Sequence, residues 1–63
     1  MTTLTQNGKT YKVFSASEWA AEMLPHLTSG WKPVNMASGD YAGTELLAAW
    51  KAAGATSAVV VVK

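Results

Sequence analysis

The stretch Asn7-Gly8-Lys9-Thr10-Tyr11-Lys12-Val13-Phe14-Ser15-Ala16-Ser17-Glu18-Trp19 decides the fold, because the chain changes direction twice within it. Asn-Gly favours the two positive φ angles of a type I′ turn, whose twist matches that of the strands it joins. Apolar and polar residues alternate on both sides of this pair from Thr3 to Phe14, which predicts a β-hairpin. On its second strand Tyr11 and Val13 face one way, and Thr10, Lys12 and Phe14 face the other. Ser15-Ala16-Ser17-Glu18 then has the spacing of a capping box, in which the serine hydroxyl accepts from a free helix N–H and the glutamate reaches back to the cap. Phe14 before the cap and Trp19 after it are placed for a hydrophobic staple, so two signals agree on one helix start.

Beyond that start, Trp19, Met23 and Leu27 recur at i, i+4 and i+8 with Ala20 and Leu24 beside them, predicting a helix with a core-facing apolar stripe. Pro25 removes a backbone donor and disfavours helical geometry at Leu24, so a kink or an early stop is expected there. Thr28-Ser29-Gly30 ends the segment. Trp31 to Met36 follows as a short strand, in which Pro33 suits an edge or a beginning. Ala37 to Gly43 is a loop with two glycines. Thr44 or Asp40 is positioned to cap a second helix from Glu45 to Ala53, with Leu46, Leu47, Trp50 and Ala53 on its apolar side and Gly54 as its stop. Ala58-Val59-Val60-Val61-Val62 closes the chain as a strand without alternation, the pattern of a strand buried on both faces.

These elements predict a small α/β (α+β) domain spanning residues 1–63, a single sheet with the order β-hairpin, α, β, α, β and helices packed on it. Strand-helix-strand passages predict parallel pairing through right-handed crossovers. The apolar last strand leaves two arrangements: the helices cover opposite faces, or both lie on one face and the other meets a partner subunit. Because 63 residues are few for covering both faces, a homo-oligomer formed sheet to sheet or edge to edge is expected, with Val60 and Val62 at its interface.

Composition narrows the function classes. Hydrophobic residues make up 49% of the chain, which is the balance of a folded domain. No apolar run approaches the ~20 residues of a membrane-spanning helix. Met1 to Asn7 has neither a basic flank nor an apolar block, so it does not read as a signal peptide, and a cytoplasmic location is expected. The absence of cysteine agrees with a reducing compartment. Five lysines against four acids, with no arginine, lack the basic stripe of a duplex nucleic-acid binder. A lone histidine, His26, has no companion ligands at metal spacing, and no metal or cofactor is expected.

Phe14 to Met36 and Tyr41 to Val62 look like a duplicated helix-plus-strand unit, with Gly30 and Gly54 in corresponding places. This resembles the sporulation-related repeat of peptidoglycan-binding domains, and Leu46-Leu47-Ala48-Ala49-Trp50-Lys51-Ala52-Ala53-Gly54 is similar to its second helix. The resemblance implies two halves forming a ferredoxin-like sheet. It departs from the repeat where the strand before the second helix is reduced to a loop. Gly30-Trp31-Lys32-Pro33-Val34 also looks like the helix exit of small bacterial and phage proteins.

The residues point away from an enzyme. Ser29, His26 and Asp40 could be nominated as a triad, but no nucleophile elbow surrounds any serine. Glu18 and Glu22 are i, i+4 neighbours on a helix surface, a solvated acidic edge rather than a catalytic pair. The expected role is a non-enzymatic binding protein: a homo-oligomeric interaction, inhibitor or adaptor module. The alternative is sequestration of a small nucleotide-like anion. Its site would be the loop Gly39-Asp40-Tyr41-Ala42-Gly43-Thr44, where backbone N–H groups and a helix start could face an anion, with Gly39, Tyr41, Gly43 and Thr44 lining it. Trp31 would add a flat face, and Lys12 or Lys32 would neutralise charge. Asp40 and Glu45 in the same place oppose such a ligand.

Overall fold

The computed structural model describes residues 1–63. Asn7 and Gly8 take positive φ angles of 52° and 75°, closing the hairpin between β1 (Thr2–Gln6) and β2 (Lys9–Phe14) as the Asn-Gly pair requires. Both halves of the capping box form: Glu18 N–H donates to Ser15 Oγ at 3.3 Å, and Ser15 N–H donates to Glu18 Oε1 at 2.9 Å. The helix they start, α1, covers Ala16–Thr28. The staple is also present, with the Phe14 and Trp19 rings 5.3 Å apart.

Pro25 lies inside α1 and does not stop it. Side chains hold its last turn: Thr28 Oγ1 donates to Leu24 O at 2.9 Å and to Pro25 O at 3.2 Å. The expected strand from Trp31 to Met36 shrinks to β3 (Lys32–Pro33). Val34 N–H still reaches Val60 O at 2.8 Å, but Asn35 Oδ1 then accepts from Ala37 N–H at 3.1 Å. This side-chain cap draws the backbone into a 3-10 turn at Met36–Ser38, a local bond outcompeting the ladder. Thr44, not Asp40, caps α2 (Glu45–Ala52), its Oγ1 accepting from Leu47 N–H at 3.3 Å. Gly54 follows α2 with φ 122°, and a 3-10 turn at Ala55–Ser57 leads into β4 (Val59–Val62).

The sheet order is β1-β2-β4-β3, and every neighbouring pair is antiparallel. The expected parallel pairing is therefore corrected. Both β2 and β3 run antiparallel to β4, so β2 and β3 run the same way on either side of it: β2-α1-β3 is a crossover split by the last strand. Pro33, which lacks a ladder donor, sits on an edge strand.

The two helices lie on opposite faces. Val60 is paired with Val13 and shares the core with Tyr11, Met36 and the α2 residue Leu46. Alternation sends Lys12 and Phe14 to the other face, where Phe14 meets Trp19 and His26 of α1. Val61, opposite Lys12, is fully buried on that side. The unalternating valine strand is thus covered on both faces within one chain, and 63 residues suffice for it. The accessible surface of 3836 Å² is close to the ~3900 Å² that size scaling gives for a monomer of this mass. The apparent duplication does not repeat in space, because its two helices occupy different sides of the sheet. No helix is long and apolar enough to cross a membrane.

Candidate functional site

The residues nominated for an anion site do not converge. Gly39, Tyr41, Gly43 and Thr44 lie before α2, with Tyr41 edge-on to Tyr11 at 6.3 Å between ring centroids. Burial, with the Tyr11 phenol beside it, pushes the Tyr41 phenol above its ordinary range. Trp31 and Lys12 belong to the opposite face, beside α1, with the Lys12 ammonium 4.6 Å from the Trp31 ring centroid. Lys32 is exposed on edge strand β3. Three of the loop donors are also engaged: Ala42 N–H bonds Gly39 O at 3.3 Å, Thr44 N–H bonds Tyr41 O at 3.1 Å, and Asp40 N–H bonds Ser38 Oγ at 3.4 Å. The Thr44 cap on Leu47 N–H takes a further donor at the start of α2.

Val60 is likewise not free for a partner. It is 1% exposed beneath α2, and Val62 is half-buried at the edge of the same cluster. The strand expected to meet another subunit is occupied by the chain's own helices.

His26 anchors a different cluster, on the α1 side. Its Nδ1 lies 2.8 Å from Glu22 O, and a carbonyl only accepts, so Nδ1 carries the proton. The Nε2 lone pair then accepts from the Lys12 ammonium at 3.0 Å. Lys12 also faces Trp31, and Lys63 lies 5.8 Å from the same ring, so cation–π contacts tie β2 and the chain end to the segment after α1. A cleft of about 350 Å³ opens beside this cluster, with Met1, Phe14 and Ala21 as its apolar part and Lys12, His26, Glu18 and Glu22 as its polar part. Asp40 pairs with Ser38 Oγ at 3.2 Å in the loop before α2, so Ser29, His26 and Asp40 are not assembled as a triad.

The outer surface of α1 is what the sequence reading missed. None of its residues is buried; Met23, Leu24 and Leu27 are 43%, 68% and 40% exposed, and Ala16 and Ala20 are exposed beside them. The stripe expected to face the core faces solvent. The physical reason lies in the helix period: steps of four residues drift by about 40° each, so a line from Trp19 through Met23 to Leu27 rotates off the sheet. The side that docks carries instead Trp19 and His26, at i and i+7, both of whose rings meet Phe14. The staple carried the signal, since a tryptophan pinned to Phe14 fixes which side of the helix looks inward.

The exposed stripe carries no charge. Glu18 and Glu22 sit away from it, with Glu18 bound to the amino terminus and to Ser15. The terminal ammonium and the Ser15 N–H hold the Glu18 carboxyl down at about 2. Comparison of the chain with protein-family models, with curated proteins and with solved structures finds no match.

Proposed function

We propose that this protein is a non-enzymatic interaction module that docks another protein surface through the outer face of α1. One observation carries the reading: three large apolar side chains, Met23, Leu24 and Leu27, stand exposed side by side on a helix whose other face already holds the domain together. Isolated exposed apolar residues are ordinary on any protein, but a contiguous uncharged group on one rigid element is the composition of an interface centre. The domain closes its core without these residues, so their apolar character serves something outside it.

The test is the triple substitution Met23→Ser, Leu24→Ser, Leu27→Ser. The variant is expected to melt within a few degrees of the parent and to lose native-state binding of an apolar fluorescent dye. A fall in melting temperature like that of a core truncation would assign the stripe to the fold and end this reading.

A further inference from the structure

The seam geometry of α1 specifies a partner, and we infer that α1 docks antiparallel against α1 of a second copy of this chain. This inference rests on the reading of α1 as the docking surface. Ala16, Ala20, Met23 and Leu27 follow one another at steps of four, three and four residues, the alternation of a and d positions in a helix-packing seam. All four are exposed. The seam is sorted by size, with small residues in its first half and large ones in its second.

That sorting discriminates between orientations. In a parallel pair Ala16 would meet Ala16 and Leu27 would meet Leu27, leaving a void at one end and crowding at the other. In an antiparallel pair with the two-fold axis between Ala21 and Glu22, Ala16 meets Leu27 of the partner subunit and Ala20 meets Met23 of the partner subunit. Every layer then sets a small residue against a large one, and the two-fold axis makes each contact twice. Leu24 flanks the seam on the side of Ser17 and Thr28, an uncharged flank, and extends the apolar contact. The carboxylates stay out of the way: Glu18 lies level with Pro25 of the partner subunit and Glu22 with Ala21 of the partner subunit. Antiparallel alignment also sets opposite helix dipole ends side by side.

Two short helix faces make a contact smaller than the ~1,200–2,000 Å² of stable complexes. The pair is therefore reversible, in keeping with a monomer whose own core is already closed. Sedimentation across low-micromolar to millimolar concentration should show a monomer passing into a dimer, and Ala20→Glu should remove the dimer while leaving the fold intact.

A size swap reads the orientation. Ala16→Leu crowds Leu27 of the partner subunit and Leu27→Ala leaves a void, so each should weaken the dimer several-fold. The double variant Ala16→Leu/Leu27→Ala should recover most of the loss, which only antiparallel pairing predicts. Because the chain contains no cysteine, mixing Ala16→Cys with Leu27→Cys chains gives a clean trap, in which the mixed disulfide should dominate over either self-pair.

A protein that stays monomeric at millimolar concentration, or a double variant no better than the worse single one, overturns the inference. If the triple-serine variant still keeps its fold and loses the dye, the docking reading survives such a result with a different partner. If it unfolds, both are lost.

Discussion

The two helices have similar apolar content and opposite fates. α2 spans only Glu45–Ala52, yet it places Leu46 at 0% exposure in the core cluster with Tyr11, Val13, Met36 and Val60. α1 is longer, at 13 residues, and buries none of them. Its attachment comes from its ends: the capping box and the Phe14–Trp19 staple at the start, and His26 bonded to Lys12 near the finish. An apolar stripe on a helix thus shows that the helix has something to bury, but not that the rest of its own chain buries it. α2 is a core element, whereas α1 is a displayed element held by a few specific contacts.

Truncating the core helix should have the largest effect. Leu46→Ala removes a fully buried side chain and is expected to cost ~2–5 kcal/mol, a large part of the ~3–9 kcal/mol that a chain of 63 residues has in hand. Denaturant unfolding would measure it. A loss below 1 kcal/mol would show that α2 is not the core element described here, and would erase the contrast with α1. Next in size is Ser15→Ala, which removes the α1 cap and should cost ~1 kcal/mol. Hydrogen exchange should then speed up in α1 while protection in α2 and β4 changes less. Uniform acceleration would mean that the two helices open as one unit.

A smaller effect should come from the exposed side of α1. Leu24→Ser changes a residue that is 68% exposed, so it should shift stability by no more than ~0.5 kcal/mol. A cost approaching that of Leu46→Ala would place Leu24 inside the fold. The gentlest probe is acid. The Glu18 carboxyl is held at about 2, below its usual 4.5, so its favourable contribution is complete above about pH 4.5 and disappears as the pH falls towards 2. The stability gap between the parent and Glu18→Gln should therefore close across that interval. A constant gap would show that the titration of Glu18 is not linked to holding α1.

The features legible in the sequence share one property: each is made by residues close together along the chain. Asn7-Gly8 specifies its turn because only its own φ angles matter, and Ser15 with Glu18 specifies its cap because the partners are three residues apart. Thr44 was legible as one of two possible caps for the same reason. The α1 stripe misled because its orientation depends on which side of Trp19 meets the sheet, and a four-residue count ignores the drift of the helix. The grouping of the nominated anion-site residues was not legible, because a loop and a strand end that look near in sequence, Tyr41 and Trp31, are carried to opposite faces. The early stop, one of the two outcomes expected at Pro25, does not occur: α1 runs on to Thr28, with Thr28 and His26 side chains bonding Leu24 O and Glu22 O in the turns around the proline.

The sequence by itself determined the hairpin, both helix starts and the double-sided burial of the valine strand, since each follows from local backbone preference or from the polarity of a single element. Only the tertiary structure decided the strand order, with β4 inserted antiparallel between β2 and β3, and the placement of one helix on each face. Those choices turn on contacts between residues far apart in the chain, such as Val13 with Val60 and Phe14 with His26. Strand partners and covered faces are set by which arrangement buries the most apolar surface at once, and that is a property of the assembled chain.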